Sequence, residues 1–297
     1  MSPAIRIGLV SARPVPPSLV DHARGVLSTV ADDVVTSPTS RPGWSGVALE
    51  GVARQGTAPD ADVALAAELR GPATALGVDV GVTSGALVAD GVGLLVMDVD
   101  STLITAEVIE LLAEHAGTRE QVAEVTERAM RGELDFAASL RERVATLAGL
   151  DVAVLDEVRA AVELSAGARE LVAEVRGRGG RVGLVSGGFR EIVEPLAAEL
   201  GIDHVAANRL EVAEGRLTGR TTGPVVDRAA KERHLREWAG DVPLSRVVAV
   251  GDGANDLDML AAAGLGVAYC AKPVVQEQAR AAVTFPRLDA VLGLLGG

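Results

Sequence analysis

Short apolar runs recur along the later part of the chain, and none of them shows the alternation of polar and apolar positions typical of a half-exposed strand. They occupy residues 94–97, 182–185, 247–250 and 266–268, with helical periodicity between them. Strands of this kind are buried on both faces, so the pattern predicts a parallel sheet covered by helices on both sides. The roughly eighty residues between the first two runs are too many for one crossover helix, and they predict an inserted helical cap at about 104–165.

Residues 1 to about 90 have a different pattern. Apolar runs at 5–10, 46–52 and 78–82 surround two helix-like stretches near 18–30 and 60–75. This order predicts a small α+β domain of the ferredoxin-like kind, followed by an α/β domain at 91–297. A turn-rich stretch at 84–91 separates the two. Within the second domain, the sequence NRLEVAEGRLT at 208–218 predicts a hairpin that turns at Glu214-Gly215.

The net charge of the chain disfavours some classes of binding partner. Lys and Arg total 28 against 41 Asp and Glu, a formal net charge of −13, which opposes binding to nucleic acid or to an acidic membrane surface. No apolar run is long enough to span a bilayer, and the single cysteine, Cys270, fits a reducing cytoplasm. A phosphorylated substrate would be repelled by the same net charge. Its site would therefore need a metal ion, basic side chains or helix N-termini to reverse the sign locally.

The sequence DVDST at 98–102 follows the first buried run directly. Asp98 and Asp100 thus stand at the carboxyl end of a predicted parallel strand, where open α/β sheets bind their ligands. Taken alone, two acids in a strand-terminating loop are more often helix caps than a site.

A second motif, GDGANDLDML at 251–260, follows the third buried run and opens a helix. Asp252 and Asp256 are therefore expected near the same sheet edge. A dinucleotide-binding loop would need glycine at position 256, where an aspartate would repel a pyrophosphate. A capped turn is the other alternative, but it leaves unexplained why acids gather at two strand ends. A hard, oxygen-preferring cation such as Mg²⁺ accounts for both clusters.

Two weaker signals point to an anion. The sequence VSGGF at 185–189 offers the Ser186 hydroxyl, and Gly187 and Gly188 allow backbone N–H groups to approach closely. Lys231 lies in a helical run after Asp227, where a lysine is ordinarily a solvated surface charge. Only the presence of the other motifs favours a functional interpretation of these residues.

The ordered set DVDST, SGG, Lys231 and GDGAND resembles the haloacid dehalogenase superfamily, and within it the chain is similar to the phosphoserine phosphatases. The resemblance runs from about Leu94 to the end of the chain and includes the phrases ANRLEV, GRLTG and YCAKP. It implies a Rossmann-like parallel sheet with an inserted helical cap. It also implies hydrolysis of O-phospho-L-serine, the last step of serine biosynthesis.

The same resemblance assigns roles to the motif residues. Asp98 is expected to be the nucleophile that forms a phosphoaspartate, and Asp100 the general acid and then the base for water. Mg²⁺ is expected to bind the carboxylates of Asp98 and Asp252 and the backbone carbonyl of Asp100, with Asp256 in support. The resemblance further implies a set of substrate contacts. Ser186, Gly187 and Lys231 are expected to hold the phosphate, Asn255 to orient groups beside it, Glu107 to pair with the substrate ammonium, and Arg143 to pair with the substrate carboxylate.

The cap and the N-terminal domain carry further expectations. Met130 and Phe136 match positions that close over the substrate, although both residue types are more often plain core. The N-terminal domain has the place of a regulatory ACT domain, but SARPVPP at 11–17 departs from the usual ligand loop, so a homodimer contact or a structural role is equally open. Alternative functions are a phosphatase or phosphotransferase acting on another small ester, such as phosphohomoserine, and a non-catalytic metabolite sensor.

Overall fold

The computed structural model describes residues 4–58, 60–131 and 133–297, which build two separate β-sheets. The N-terminal sheet is antiparallel, with strand order β2-β3-β1-β4. Its elements follow the chain as β1 (Ala4–Ser11), α1 (Pro17–Leu27), β2 (Ala31–Pro38), β3 (Ser45–Ala53), α2 (Ala61–Ala75) and β4 (Asp79–Ser84). This is the α+β order that the sequence predicts, and the antiparallel sheet fits an ACT-like domain.

Strand β2 is absent from the sequence-based prediction. Its sequence, ADDVVTSP, mixes two acids and a proline with two valines, and most of the strand is exposed. An edge strand has one neighbour and one open side, so burial imposes little hydrophobic pattern on it.

The second sheet has seven strands in the order β11-β10-β9-β5-β6-β7-β8. The strands are β5 (Leu94–Met97), β6 (Arg181–Phe189), β7 (His204–Ala213), β8 (Arg216–Thr222), β9 (Val247–Gly251), β10 (Leu265–Tyr269) and β11 (Ala281–Val283). All neighbours are parallel except β7 and β8, the hairpin predicted to turn at Glu214-Gly215. The short helix α3 (Ala86–Ala89) follows β4 and contacts β1 and β4. The helices of the second domain outside its insertion are α8 (Ala168–Gly177), α9 (Arg190–Leu200), α10 (Arg228–Ala239), α11 (Leu257–Ala262), α12 (Pro273–Gln278) and α13 (Ala290–Leu294). The four predicted parallel strands are all present, whereas β11 was not predicted.

Four helices form the insertion between β5 and α8: α4 (Val108–Ala116), α5 (Arg119–Met130), α6 (Phe136–Ala145) and α7 (Val154–Ala161). The chain enters and leaves this cap side by side, because Ile104 bridges Leu164 and the Thr105 N–H donates to the Glu163 carbonyl at 3.0 Å. The paired entry and exit strands place the cap helices above the carboxyl end of β5.

The two sheets meet at a contact that we call the joint, formed by β1, β3, β4 and α2 on one side and β11, α12 and α13 on the other. Gly8 lies so close to α13 that a Cβ there would be 2.5 Å from Leu294 Cα. Trp44 Nε1 donates to Asp289 Oδ2 at 2.8 Å. Arg280 pairs with Asp62 at 2.6 Å. Backbone contact and buried polar pairs therefore fasten the N-terminal domain to the last elements of the chain.

Among the described residues, we find no helix that is both long and apolar enough to cross a membrane.

Candidate active site

Strands β9, β5 and β6 are neighbours in the large sheet, and their carboxyl ends bring three sequence motifs together. Asp98 follows β5, Ser186 lies in the end of β6, and Asp252 follows β9. Because parallel strands all end at one edge of the sheet, residues far apart in sequence become neighbours there.

Asp98 is buried at this edge, and its two oxygens have different partners. Oδ1 accepts a hydrogen bond from the Val99 N–H at 2.7 Å, and Oδ2 pairs with Lys231 Nζ at 2.7 Å. Burial and then the negative charge of Asp256 raise the pKa of Asp98 well above its usual range, while Lys231 lowers it. The ammonium of Lys231 therefore provides part of the compensation that keeps this carboxylate available as an anion.

Lys231 is fully buried, which differs from the ordinary behaviour of a helix lysine. Its Nζ also contacts Asp256 Oδ1 at 2.6 Å. Burial lowers the pKa of Lys231, but the carboxylates of Asp256 and Asp98 outweigh burial and raise it, so the side chain stays charged. Asp227 caps the start of α10 by accepting from the Ala230 N–H at 2.8 Å, which fixes the helix that carries Lys231.

Asp98, Asp252 and Asp256 form an acidic cluster in which one carboxylate oxygen of each lies within 4.8 Å of the others. Burial, together with the charge of Asp256, raises the pKa of Asp252 to about 6, and the Thr102 hydroxyl donates to Asp252 at 3.0 Å. Both oxygens of Asp256 accept hydrogen bonds within the protein, from Lys231 and from the Gly253 N–H at 3.0 Å. Three carboxylates around one ammonium leave surplus negative charge, and these hard oxygens fit a metal site.

Asp100 has surroundings unlike those of Asp98. Its Oδ1 accepts from the Val108 N–H at 2.8 Å, and its Oδ2 accepts from Ser186 Oγ at 3.1 Å. Burial raises its pKa, and the hydrogen bonds from Val108 and Ser186 lower it. The two aspartates of DVDST thus differ in their partners, since Asp98 faces a cation and Asp100 faces neutral donors.

The SGG loop packs tightly beside Asp100. Ser186 Oγ accepts from the Gly188 N–H at 2.7 Å, and a Cβ on Gly188 would lie 2.5 Å from Asp100 Oδ2. A side chain at 188 would therefore displace the Asp100 carboxylate, so glycine fits this position because of close approach rather than backbone conformation.

A cavity of about 380 Å³ opens between this edge and the cap. Its wall includes Asp98, Asp100, Glu107, Phe136, Arg143, Gly187 and Asn255. Ser186, Lys231 and Asp252 lie behind that wall: Ser186 contacts Asp100, Lys231 contacts Asp98, and a carboxylate oxygen of Asp252 lies within 4.8 Å of one of Asp98. A Cβ on Gly187 would lie 2.8 Å from Phe136 Cζ, so the cap aromatic packs directly over the loop. The side chain of Met130 lies outside the described residues.

Glu107 and Arg143 bring charges of opposite sign into the cavity. Burial, followed by the charge of Asp100, raises the pKa of Glu107 to about 7, and Ser101 Oγ donates to Glu107 at 2.7 Å. Burial lowers the pKa of Arg143, while Glu107 and Asp100 raise it. An ammonium beside Glu107 and a carboxylate beside Arg143 would each relieve an incompletely compensated charge.

Three supporting residues were not predicted from the sequence. Ser101, at a positive φ of 55°, orients Glu107, and Thr102 orients Asp252. Asn208 is buried, donates to the Gly187 carbonyl at 2.8 Å and accepts from the Val226 N–H at 2.9 Å, so it links the SGG loop to the segment before α10. Its place in ANRLEV was the one available signal, since a polar residue within an apolar run has to find partners when it is buried.

Comparison with known proteins gives concordant matches. A phosphoserine phosphatase of Streptomyces coelicolor is 59% identical over 226 residues, 75% of this chain and 55% of that protein. The phosphoserine phosphatase of Streptococcus thermophilus is 54% identical over 205 residues, 68% of this chain and 95% of that protein. A solved structure of a phospho-aspartyl intermediate analogue of phosphoserine phosphatase is 39% identical, covers 68% of this chain and 97% of that one, and has a TM-score of 0.64.

The chain spans about half the length of the Streptomyces protein, whereas the match to the Streptococcus protein covers nearly the full length of that relative. The family model for haloacid dehalogenase-like hydrolases matches residues 95–261. That range contains all but the first residue of β5, the cap, the SGG loop, Lys231 and the acidic cluster. Because the match covers more than half of the chain and every element of this sheet edge, the protein belongs to the haloacid dehalogenase-like hydrolase family.

Proposed function

We propose that this chain is a Mg²⁺-dependent phosphatase that hydrolyses O-phospho-L-serine to L-serine and phosphate. The observation that carries the proposal is one cavity whose wall holds two aspartates in contrasting surroundings, Asp98 and Asp100, together with Glu107 and Arg143. The first pair provides chemistry at phosphorus, and the second provides recognition of an amino acid. The phosphoserine phosphatases among the similar proteins support the same substrate.

The proposed reaction has two displacements at phosphorus. Asp98 attacks the phosphorus atom, its new O–P bond forms as the bond to the serine oxygen breaks, and the departing oxygen takes a proton from Asp100. Asp100, now ionised, removes a proton from a water molecule that attacks the phosphoaspartate, releasing phosphate and restoring Asp98. The raised pKa of Asp100 suits it to hold a proton before the first step.

The transferring phosphate would be held from the side of β6 and α10. Ser186, the Gly187 amide and Lys231 are its proposed contacts, each stabilising charge by about 3 kcal/mol if typical of such donors. Asn255, on the cavity wall, is placed to orient oxygens beside the acidic cluster.

The acidic cluster is the proposed Mg²⁺ site. The carboxylates of Asp98 and Asp252 and the backbone carbonyl of Asp100 would hold the ion, and Asp256 would support it through Lys231 and Gly253. Bound there, the ion would neutralise charge as an anionic nucleophile meets an anionic ester.

Several broader properties belong to the same proposal. We place the reaction at the end of serine biosynthesis, in the cytoplasm, and expect the chain to act as a homodimer. The exposed edge strand β2, with Val35 63% exposed, offers a surface on which a second copy could pair.

The decisive experiment measures phosphate release from a panel of esters with Mg²⁺ and with EDTA. The panel contains O-phospho-L-serine, phosphohomoserine, phosphoethanolamine and p-nitrophenyl phosphate. We expect phosphoserine to have the highest kcat/KM and EDTA to abolish turnover. A higher kcat/KM for an ester lacking the carboxylate would contradict the assigned substrate, and full activity in EDTA would contradict the metal site.

A further inference from the structure

Strands β6 and β7 lose their regular pairing at the SGG loop. Val185 pairs with Ala206, and the next pair in the register is Phe189 with Asn208. Residues 186–188 of β6 therefore stand opposite a single residue of β7, and the loop bulges out of the sheet ladder. Because a bulge interrupts the ladder hydrogen bonds, other contacts have to hold its backbone in place.

The peptide group between Gly187 and Gly188 is held at both of its ends. Asn208 Nδ2 donates to the Gly187 carbonyl at 2.8 Å, and the Gly188 N–H donates to Ser186 Oγ at 2.7 Å. Ser186 Oγ in turn donates to Asp100 Oδ2 at 3.1 Å. Hydrogen bonds in series polarise and orient one another. The contact from Asn208 therefore acts on the loop peptide and, through it, on the Ser186 hydroxyl.

The other end of the Asn208 amide reaches the segment that leads into α10. Asn208 Oδ1 accepts from the Val226 N–H at 2.9 Å, and Asp227, the next residue, caps the start of that helix. Asn208 is 2% exposed and Val226 is 5% exposed, so solvent has little access to either hydrogen bond. One buried side chain thus joins the SGG loop to the helix that carries Lys231.

We infer that Asn208 is a positioning residue for the phosphate group, which sets the SGG loop and α10 relative to each other without touching the substrate. Asn208 is not among the residues that form the wall of the active-site cavity. The inference rests on the proposed function, because phosphate is the ligand that both segments would hold. A carboxamide suits this place, since it donates on one side and accepts on the other. A displacement of about 1 Å in such contacts can slow a reaction by about 10².

The test replaces Asn208 with leucine, which has a similar shape but neither donates nor accepts. The Gly187 carbonyl and the Val226 N–H would lose their partner, so the loop and the helix would no longer be held together. We expect kcat/KM to fall about tenfold to a hundredfold, and equally for O-phospho-L-serine and p-nitrophenyl phosphate, because both esters present the same phosphate group. Asn208→Ala removes the same two hydrogen bonds with a smaller side chain and repeats the measurement. Thermal unfolding shows that each variant is folded at the assay temperature.

The two products of the proposed reaction separate a positioning role from a general loosening of the site. With Mg²⁺ present, inorganic phosphate should inhibit the Asn208 variants about tenfold more weakly than the wild type, because it depends on the displaced contacts. Inhibition by L-serine, which would occupy the end of the cavity at Glu107 and Arg143, should stay unchanged. Equal weakening for both products would mean that the substitution disturbs the whole site, and it would overturn the inference.

Glu191→Leu is the matched control. Glu191 Oε1 accepts from the Leu210 N–H at 3.2 Å, so this side chain also fixes the backbone of β7, but its hydrogen bond reaches neither the SGG loop nor α10. We expect it to keep wild-type values for both esters and both products. Wild-type kinetics in the Asn208 variants would overturn the inference and leave the proposed function standing. A wild-type protein that binds phosphate but hydrolyses no ester would contradict the proposed function instead, and calorimetric titration with inorganic phosphate would then decide whether Asn208→Leu weakens binding.

Discussion

The active-site edge and the joint both bury charged side chains, but the two regions balance them differently. At the edge, Asp98, Asp252 and Asp256 surround one ammonium, that of Lys231, so negative charge is concentrated around a cation-binding geometry. At the joint, Asp62 and Arg280 are paired, while the hydrogen-bond partners of Arg70 and Asp79 within the described residues are uncharged. A surplus of negative charge favours the binding of a metal cation, whereas the Asp62–Arg280 pair at the joint neutralises its own charge.

The largest effect is expected from Asp98→Asn. The amide can still accept from the Val99 N–H, but it cannot attack phosphorus, so turnover of phosphoserine should fall by roughly three orders of magnitude or more. Removing one of three clustered carboxylates should not lower the stability of the metal-free protein. Phosphate release and thermal unfolding measure the two quantities. Retention of more than a few per cent of activity would show that another group is the nucleophile.

Asp100→Asn should slow the reaction of esters whose leaving group needs a proton more than that of esters whose leaving group needs none. In the variant the amide oxygen can still accept from the Val108 N–H, and the amide nitrogen would donate to Ser186 Oγ instead of accepting from it. The amide cannot protonate the leaving oxygen, so hydrolysis of phosphoserine should fall by about 10² to 10⁴. Formation of the phosphoenzyme from p-nitrophenyl phosphate, whose leaving group needs no proton, should fall much less. The burst of nitrophenolate in stopped flow reports that first step. Equal losses on the two esters would argue against Asp100 as the acid.

Arg143→Ala should discriminate amino-acid recognition from phosphate chemistry. Losing a desolvated carboxylate contact should cost about 2 to 4 kcal/mol in kcat/KM for phosphoserine. The value for p-nitrophenyl phosphate should change little, because that ester has no carboxylate. If both esters suffer alike, Arg143 serves phosphate binding or stability instead.

A chain that begins at Asp90 tests how far the two regions are independent. All residues proposed for chemistry lie between Asp98 and Asp256, so we expect the fragment to hydrolyse phosphoserine at nearly the full rate at low temperature. Removing β1 and β3 uncovers α13, whose Leu294 is fully buried, so the unfolding temperature should drop by at least about 5 °C, at roughly 2 to 4 °C per kcal/mol. An unchanged unfolding temperature would mean that the joint contributes little stability.

The smallest effect concerns Asp79 and pH. The pKa of Asp79 is about 6 in the folded protein, against an ordinary value of 3.8. Between pH 3.8 and about 6, the folded state therefore holds a proton that the unfolded state has released. Stability from this group is therefore present at low pH and lost as pH rises through about 6. Asp79→Asn should be more stable than the wild type by about 1 to 3 kcal/mol above pH 7, and the difference should shrink toward pH 4. Chemical unfolding across this pH range measures it. A constant difference would exclude titration of Asp79 as the cause, since the nearby charges of Arg70 and Glu277 and the thiol of Cys270 are common to both proteins.

The sequence-based predictions succeeded where burial and chemistry impose a strict pattern. The strand 94–97 was placed at its observed limits, because a strand covered on both faces has to be apolar throughout. Strands β2 and β11 were not predicted, since one is an exposed edge and the other has only three residues. In neither case does the local sequence carry a period that is long enough to recognise.

By itself, the sequence determined the order of the motifs, the parallel core that carries them and the inserted helical cap. It did so because the DVDST, SGG and GDGAND motifs each directly follow an apolar run, and parallel strands must end at a common edge. Only the tertiary structure decided that Lys231 is buried between Asp98 and Asp256, that Asn208 links the SGG loop to the segment before α10, and that Arg70 and Asp79 share a cavity. These facts depend on contacts between residues distant along the chain, and a lysine, an asparagine or an aspartate has the same local signature whether water or another side chain surrounds it.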